Sequence, residues 1–372
     1  MSNIRLGIIG YGNMGRGHFG NVKNGLCPSV KVTAVCDINP AKLEGREELE
    51  GVALFTSVEQ MLDSGIVDTV LIATPHYDHP TIAVKCFERG INVLTEKPAG
   101  VYTRQVREMN EAAERSGVKF GIMFNQRTNP MYRKAHDIVQ SGELGELKRM
   151  VWIITNWYRT QAYYDSGTWR ATWSGEGGGV LLNQAPHNLD LWQWIFGMPK
   201  RVRAFCGFGK YHHIDVEDDV TIYGEYENGA TATFISTTGD ACGTNRLEIV
   251  GDKGKIVIEH GKLCMWKLGT PERVLCFTSK EGFLTPETEY EEFTATEPKG
   301  HPEVLEAFAQ SILNGTEMIA DGREGLNSLS ISNAAYLSAW TNDWVELPGD
   351  EAEFEKHLTE LCEKEKSKKV KK

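Results

Sequence analysis

The sequence predicts an α/β protein in two parts. A doubly wound parallel sheet comes first, followed by an α+β domain built on a large, open, mainly antiparallel sheet. Three observations predict this. The apolar run Leu6-Gly7-Ile8-Ile9 is closed at once by G-x-G-x-x-G, with Gly10, Gly12 and Gly15 in the three places. Short apolar stretches then alternate with helical patterns as far as Phe124. After Asn129-Pro130 the rhythm changes to extended stretches linked by turn residues.

In the first part, strands are expected at 4–9, 30–37, 69–73, 92–95 and 119–124. Helical patterns fall between them at 57–64, 79–89 and 103–116. Such alternation makes βαβ units, whose right-handed crossovers leave a ligand crevice at the strands' C-terminal ends. In the second part a helix is expected at 132–141. Strands follow at 148–158, 201–208, 220–226, 230–237, 246–250, 255–259 and 263–268. Asn228-Gly229 and Asp252-Lys253-Gly254 have the chemistry of hairpin turns. Helices are expected at 301–313 and 322–343. The charge run 363–372, with Lys368, Lys369, Lys371 and Lys372, reads as a frayed helix end or a disordered, solvated tail. The expected division is 1–124, 125–348 and a C-terminal helix and tail at 349–372.

Each glycine of the first turn has a physical task. Gly10 permits the tight turn out of the strand, Gly12 lets backbone approach a pyrophosphate, and Gly15 lets the helix pack close to the sheet. Tyr11, Asn13 and Met14 complete the turn, and the helix N-terminus favours phosphate. The second strand ends in Asp37, placed to take both ribose hydroxyls of an adenosine and to repel a 2′-phosphate. Ile38 and Asn39 follow it rather than Arg, so NAD is expected over NADP. The competing reading is a plain glycine turn and an Asp that caps the next helix.

Bulk properties exclude other classes. The chain has 372 residues, 41% apolar and 24% charged, with a net charge of −11. That balance opposes a nucleic-acid surface. No apolar run reaches membrane-spanning length. The first strand starts within a few residues of Met1, so no signal peptide and a cytoplasmic location are expected. The 8 cysteines show no C-x-x-C and no zinc spacing, and no metal site is expected.

Further segments fit a site on this frame. Ala73-Thr74-Pro75-His76 ends one strand, with His79 close behind. Glu96-Lys97-Pro98 ends the next, and Asn125 and Arg127 end a third. A Lys at the end of a parallel strand points into the crevice. Desolvation and a nicotinium charge would lower its pKa and fit it for proton transfer. Its plain alternative is a surface Lys paired with Glu96. Asn183 and His187, four apart, would share a helix face, and Asp190 faces the same way. Their plain alternatives are an N-cap, a packed histidine and a satisfied helix acid. The triplet Gly177-Gly178-Gly179 is either a simple loop or a place where backbone approaches a sugar. Trp152 is expected in the core. Trp157, Tyr158, Trp169 and Trp173 are either core or stacking faces for a pyranose.

Taken together, G-Y-G-N-M-G at 10–15, A-T-P at 73–75, E-K-P at 96–98, F-N-Q-R at 124–127 and the run G-G-G to H-N-L-D ending at Asp190 resemble the Gfo/Idh/MocA oxidoreductases. The resemblance covers nearly the whole chain. It implies a Rossmann domain, a C-terminal domain whose open sheet often forms the subunit interface, and a sugar or cyclitol substrate. It gives Lys97 and His187 catalytic roles. It departs from many members at Asn183, where they carry Asp, and this counts against a simple inositol dehydrogenase. Asn there, together with Thr168-Trp169-Arg170-Ala171-Thr172-Trp173, resembles members that oxidise C3 of nucleotide-linked sugars, glycosides and anhydrosugars. The expectation is therefore an NAD-dependent dehydrogenase of a pyranoside C3 hydroxyl. His187 is the base, Lys97 serves the oxygen, and Asn183 orients the sugar or Lys97. Arg127, Tyr158, Trp169 and Arg170 are expected substrate or nicotinamide contacts. A homodimer or homotetramer is expected. The alternatives are an inositol or anhydrosugar dehydrogenase, an NAD-dependent glycosidase working through a 3-keto intermediate, and a non-catalytic NAD-binding regulator.

Overall fold

The computed structural model describes residues 3–370, with side chains to Lys368. The chain forms two compact units. The first comprises Met1–Thr128, Gly175–Gly177 and Lys299–Leu329. The second comprises Asn129–Ser174, Gly178–Pro298 and Ser330–Lys372.

In the first unit, β1 (Ile4–Ile9), β2 (Val30–Cys36), β3 (Ala53–Phe55), β4 (Thr69–Ile72), β5 (Asn92–Thr95) and β6 (Phe120–Ile122) form one sheet of order β3-β2-β1-β4-β5-β6. All its pairings are parallel. The order reverses between β1 and β4, the switch point where dinucleotides bind in such folds. Val70, Leu71 and Ile72 are fully buried, as a parallel strand covered on both faces requires.

The expected division places 299–329 in the second domain, and the structure places it in the first. Helix His301–Asn314 contributes Val304, Leu305, Phe308 and Ala309 to the core cluster that holds Ile4, Leu6, Ile8 and Val35. The reason is burial. Its apolar side chains fall at helical spacing and cover the sheet, each large one worth about 1.5–3 kcal/mol. Gly322 and Gly325 extend the contact. A Cβ on Gly322 would stand 2.6 Å from the Phe120 ring, and one on Gly325 2.6 Å from Ala99 Cβ.

The second unit holds a nine-stranded sheet. Its strands are β7 (Leu147–Ile154), β8 (Arg201–Phe208), β9 (Glu217–Glu225), β10 (Thr231–Thr237), β11 (Asn245–Gly251), β12 (Gly254–Glu259), β13 (Lys262–Leu268), β14 (Thr288–Thr294) and β15 (Val345–Glu346). The order is β14-β13-β12-β11-β7-β10-β9-β8-β15. Only β7 and β10 pair in parallel. Asn228-Gly229 joins β9 to β10, and Asp252-Lys253 joins β11 to β12, as the turn chemistry predicts. Burial alternates along β8 and β10, so one face carries the core. Trp152 and Phe234 lie on it, and Trp192 of helix Pro186–Phe196 stacks on Phe234 at 5.9 Å.

The second unit also contains a helix, Glu272–Thr278, and a largely exposed edge strand, β14, with no periodic apolar signal to mark them. In the C-terminal region the structure has the helix rather than a disordered tail. Helix Glu351–Val370 runs through it, anchored by Phe354 and Leu358. Glu365 is buried and accepts from Ser174 N at 3.0 Å and Ser174 Oγ at 2.5 Å. Lys368 pairs with Asp215 at 2.5 Å. Lys371, Lys372 and the Lys369 side chain lie outside the described residues.

Candidate active site

The first unit builds a dinucleotide cradle. Gly10 ends β1 at φ +92°, and a Cβ there would stand 2.6 Å from Ala73 O. A Cβ on Gly15 would stand 1.9 Å from Gly10 O. At Gly12 no such neighbour lies within 4 Å. Gly12 is the N-cap of helix Asn13–Lys23, whose first turn has no side-chain cap and no acid. Its N–H groups and dipole are therefore available to a phosphate. Asn13 and Met14 are exposed on that turn.

Asp37 follows β2 and is 5% exposed. Its Oδ2 accepts from Tyr11 N at 2.9 Å and from Lys42 Nζ at 3.0 Å, and its Oδ1 accepts from Asn39 N at 2.9 Å. The Thr74 hydroxyl is buried without a hydrogen-bond partner, and Pro75 is exposed beside it. These residues fit a bound dinucleotide: a glycine open to a phosphate, an uncapped helix terminus and a carboxylate at the ribose end.

Two histidines of this unit hold backbone. His76 Nδ1 lies 2.9 Å from Glu176 O. Burial, with the nearby His79 charge, pushes His76 down to about 3, so it is neutral and donates that bond. His79 is fully buried, with Nδ1 2.8 Å from Pro98 O and Nε2 2.8 Å from Thr74 O. It ties the A-T-P loop to the E-K-P loop.

Lys97 is half-buried just beyond β5. Burial lowers its amine pKa, while the charges of Glu96 and Glu176 raise it. Glu96 is buried beneath it. Glu96 Oε1 lies 2.7 Å from His18 Nε2, and Glu96 Oε2 accepts from Lys97 N at 3.2 Å. Burial pushes the Glu96 carboxyl up. The hydrogen bond from His18 and the charges of His18, Lys97 and His301 outweigh it and hold the group at about 2. Glu96 is thus a permanent anion under the amine. His18 is a residue the sequence reading missed, although it lies three after Gly15 on the buried face of the same helix.

Asn125 Nδ2 lies 3.4 Å from His301 Nδ1. Arg127 corrects an expectation. It is 2% exposed and its Nη2 donates to Glu324 Oε2 at 2.7 Å, so it binds the returning segment rather than a substrate. A guanidinium this buried needs a carboxylate partner.

In the second unit, His187 is a nearly buried residue in the first turn of helix Pro186–Phe196. The N-cap is Ala185, so Asn183 is not the cap. It lies in the preceding turn, where its N–H donates to Gly179 O at 2.9 Å. Asp190 is fully buried and accepts from Gln193 at 3.1 Å. Arg170 lies over the rings of Trp169 and Tyr163 at 4.7 and 4.6 Å and donates to Tyr163 OH at 2.9 Å. Gln184 Nε2 donates to Asn183 Oδ1 at 3.2 Å and to Tyr163 OH at 3.4 Å. The structure therefore joins Trp169, Arg170, Tyr163, Gln184 and Asn183 in one chain of contacts. Tyr158 is exposed, whereas Trp173 is core, packed on Tyr336 and Trp340.

Of the two readings of the glycine segment, the structure shows close packing against protein at Gly178 and Gly179. A Cβ on Gly178 would stand 2.0 Å from Tyr336 OH, and one on Gly179 1.9 Å from Glu217 O. The fully buried Glu217 carboxylate accepts from Gly179 N at 2.9 Å, Leu181 N at 2.8 Å and Tyr336 OH at 2.7 Å. Burial pushes Glu217 up to about 7 against those three bonds. Gly178 and Gly179 make room for protein.

Two family models match the chain. The oxidoreductase family with an NAD-binding Rossmann fold matches residues 4–124, and the GFO/IDH/MocA C-terminal domain matches 132–257. The chain belongs to the GFO/IDH/MocA family. The rhizopine catabolism protein MocA of Rhizobium meliloti is 30% identical over 53% of this chain and 58% of its own length. The levoglucosan dehydrogenase of Pseudarthrobacter phenanthrenivorans is 24% identical over 94% of this chain and 99% of its own. The crystal structure of a WlbA dehydrogenase from Chromobacterium violaceum, in complex with NADH and UDP-GlcNAcA, is similar with a TM-score of 0.79 and 28% identity, covering 94% of this chain and 97% of that one. The GFO/IDH/MocA fold accounts for both sheets, and its N-terminal domain is the NAD-binding one. Among the described residues, no group of three His, Cys, Asp or Glu is placed to hold a metal, and no helix is long and apolar enough to cross a membrane.

Proposed function

We propose that the protein transfers hydride between a secondary hydroxyl of a sugar and NAD, and that the hydroxyl is at C3 of a pyranoside. Bound NAD supplies the hydride acceptor. The glycine turn and Asp37 hold it, with the A-T-P and E-K-P loops beside the nicotinamide. His187 accepts the hydroxyl proton as the C–H hydride leaves. Lys97 donates a hydrogen bond to the oxygen and stabilises its developing charge. Arg170, Trp169 and Tyr158 contact the sugar, with Asn183 orienting it. The observation that carries the reading is Lys97: an amine at a strand end, lowered by burial, with the constant Glu96 anion beneath it.

The neutral Asn183 supports a glycoside over an inositol, because an amide takes no proton from Lys97. The full-length similarity to a levoglucosan dehydrogenase favours an anhydrosugar as the second reading. The proposal includes a dimer or tetramer through the open sheet face, where Phe205 and Tyr223 are exposed. Light scattering showing a monomer at micromolar concentration would remove that part. The function is tested with glycosides, anhydrosugars, free sugars and cyclitols, followed by NADH absorbance and product mass. A 3-keto glycoside is the expected product. Turnover of cyclitols alone would overturn the substrate assignment.

A further inference from the structure

The carboxylate at the ribose end of the cradle is not alone. Lys42 Nζ lies 3.0 Å from Asp37 Oδ2. The two side chains differ in freedom: Asp37 is 4% exposed and Lys42 45%. Asp37 is already fixed by the backbone N–H groups of Tyr11 and Asn39, so it needs no lysine to orient it. Other charged groups surround the adjoining Tyr11 side chain. The Arg46 guanidinium lies 5.8 Å from the centre of the Tyr11 ring, and the Arg46 and Arg16 charges both act on the Tyr11 hydroxyl. The opposing acid is Glu48, 3.3 Å from Arg46. Lys42 is thus the cation that sits on the ribose-end carboxylate, while Arg46 packs on the neighbouring Tyr11 ring.

An unaccompanied acid in this place rejects a 2′-phosphate, because the two anions repel. Lys42 changes that balance. Its ammonium sits on a flexible, half-exposed stem and is free to exchange one anionic partner for another. We propose that Lys42 is a cofactor-specificity residue: it lets the site take a 2′-phosphorylated nicotinamide dinucleotide as well as NAD. With NAD bound, Asp37 accepts from the ribose hydroxyls and Lys42 stays on the carboxylate. With the phosphorylated form bound, Lys42 pairs with the phosphate. The proposal rests on the dinucleotide reading of the glycine turn.

The test is direct titration of NADH and NADPH, followed by nicotinamide fluorescence, on wild type, Lys42→Ala and Lys42→Arg. A charge-assisted bond to phosphate is being removed, so Lys42→Ala should weaken NADPH about tenfold. NADH should change less than threefold, because the Asp37 contacts remain. Lys42→Arg should keep NADPH binding. The NADPH affinity of wild type should also fall more steeply with salt than that of Lys42→Ala. An unchanged NADPH-to-NADH ratio in Lys42→Ala, or equal loss of both, would overturn the role of Lys42 while leaving the dinucleotide site intact. Failure of wild type to bind either dinucleotide would overturn the site itself, and the proposal with it.

Discussion

In the first unit, Gly12 opens toward a space with no protein atom near its missing side chain. In the second, the space that side chains on Gly178 and Gly179 would need is taken by Tyr336 and Glu217. The two segments look alike as sequence, and each precedes a helix. They differ in what surrounds them. One is spare of side chains so that a ligand can approach the backbone. The other is spare so that a buried carboxylate and a phenol can grip it, fixing the turn that carries Asn183 and leads to His187. A run of glycine therefore marks a close approach, and only the partner decides whether that approach is functional or structural.

The largest expected effect separates chemistry from both glycine segments. Lys97→Ala and His187→Ala should each lower turnover about a hundred- to ten-thousand-fold, as loss of an acid–base group does. NAD affinity by fluorescence should remain, since the first turn and Asp37 are its proposed holders. Near-normal turnover of His187→Ala across pH would remove it as the base.

Gly179→Ala should come next. Its Cβ would strike the Glu217 carbonyl, and overpacking against backbone costs about 3 kcal/mol or more. Chemical denaturation should show this loss even without substrate. A variant as stable as wild type would break the structural half of the comparison.

Glu217 gives a pH-dependent version of the same test. Its folded pKa of about 7 lies above the ordinary 4.5. A raised pKa means that its stabilising contribution is full below about 4.5 and is lost as pH rises through 7, on the order of 3 kcal/mol at most. Glu217→Gln cannot titrate. Relative to the Gln variant, wild type should therefore lose stability between pH 5 and pH 8. A constant difference between them would place the Glu217 pKa outside that window.

The smallest effect belongs to Gly12→Ala. It should leave stability within about 0.5 kcal/mol, as a change without steric conflict does. NAD affinity should fall about tenfold, because the methyl group holds the pyrophosphate off the backbone.

These differences also explain what the sequence made legible. The parallel sheet could be read because its strands are buried on both faces and its turn needs glycine at fixed places. Asp37 could be read because it ends the second strand. The return of 299–329 to the first unit could not, since the apolar face of helix His301–Asn314 does not say which sheet it covers. Arg127 reads as a substrate contact until Glu324, distant in sequence, is seen to neutralise it. His18 was hidden because its partner Glu96 is 78 residues away. Asn183 and His187 share a segment, as their spacing suggests, but Pro186 delays the helix until after Asn183.

The central claim is hydride transfer from C3 of a pyranoside to NAD. It is tested most directly with a glycoside carrying deuterium at C3, incubated with the protein and NAD, and mass measurement of the recovered NADH. The account predicts NADH heavier by one deuterium and a 3-keto sugar without the label. Unlabelled NADH formed while the C3 deuterium stays in the oxidised sugar would contradict it.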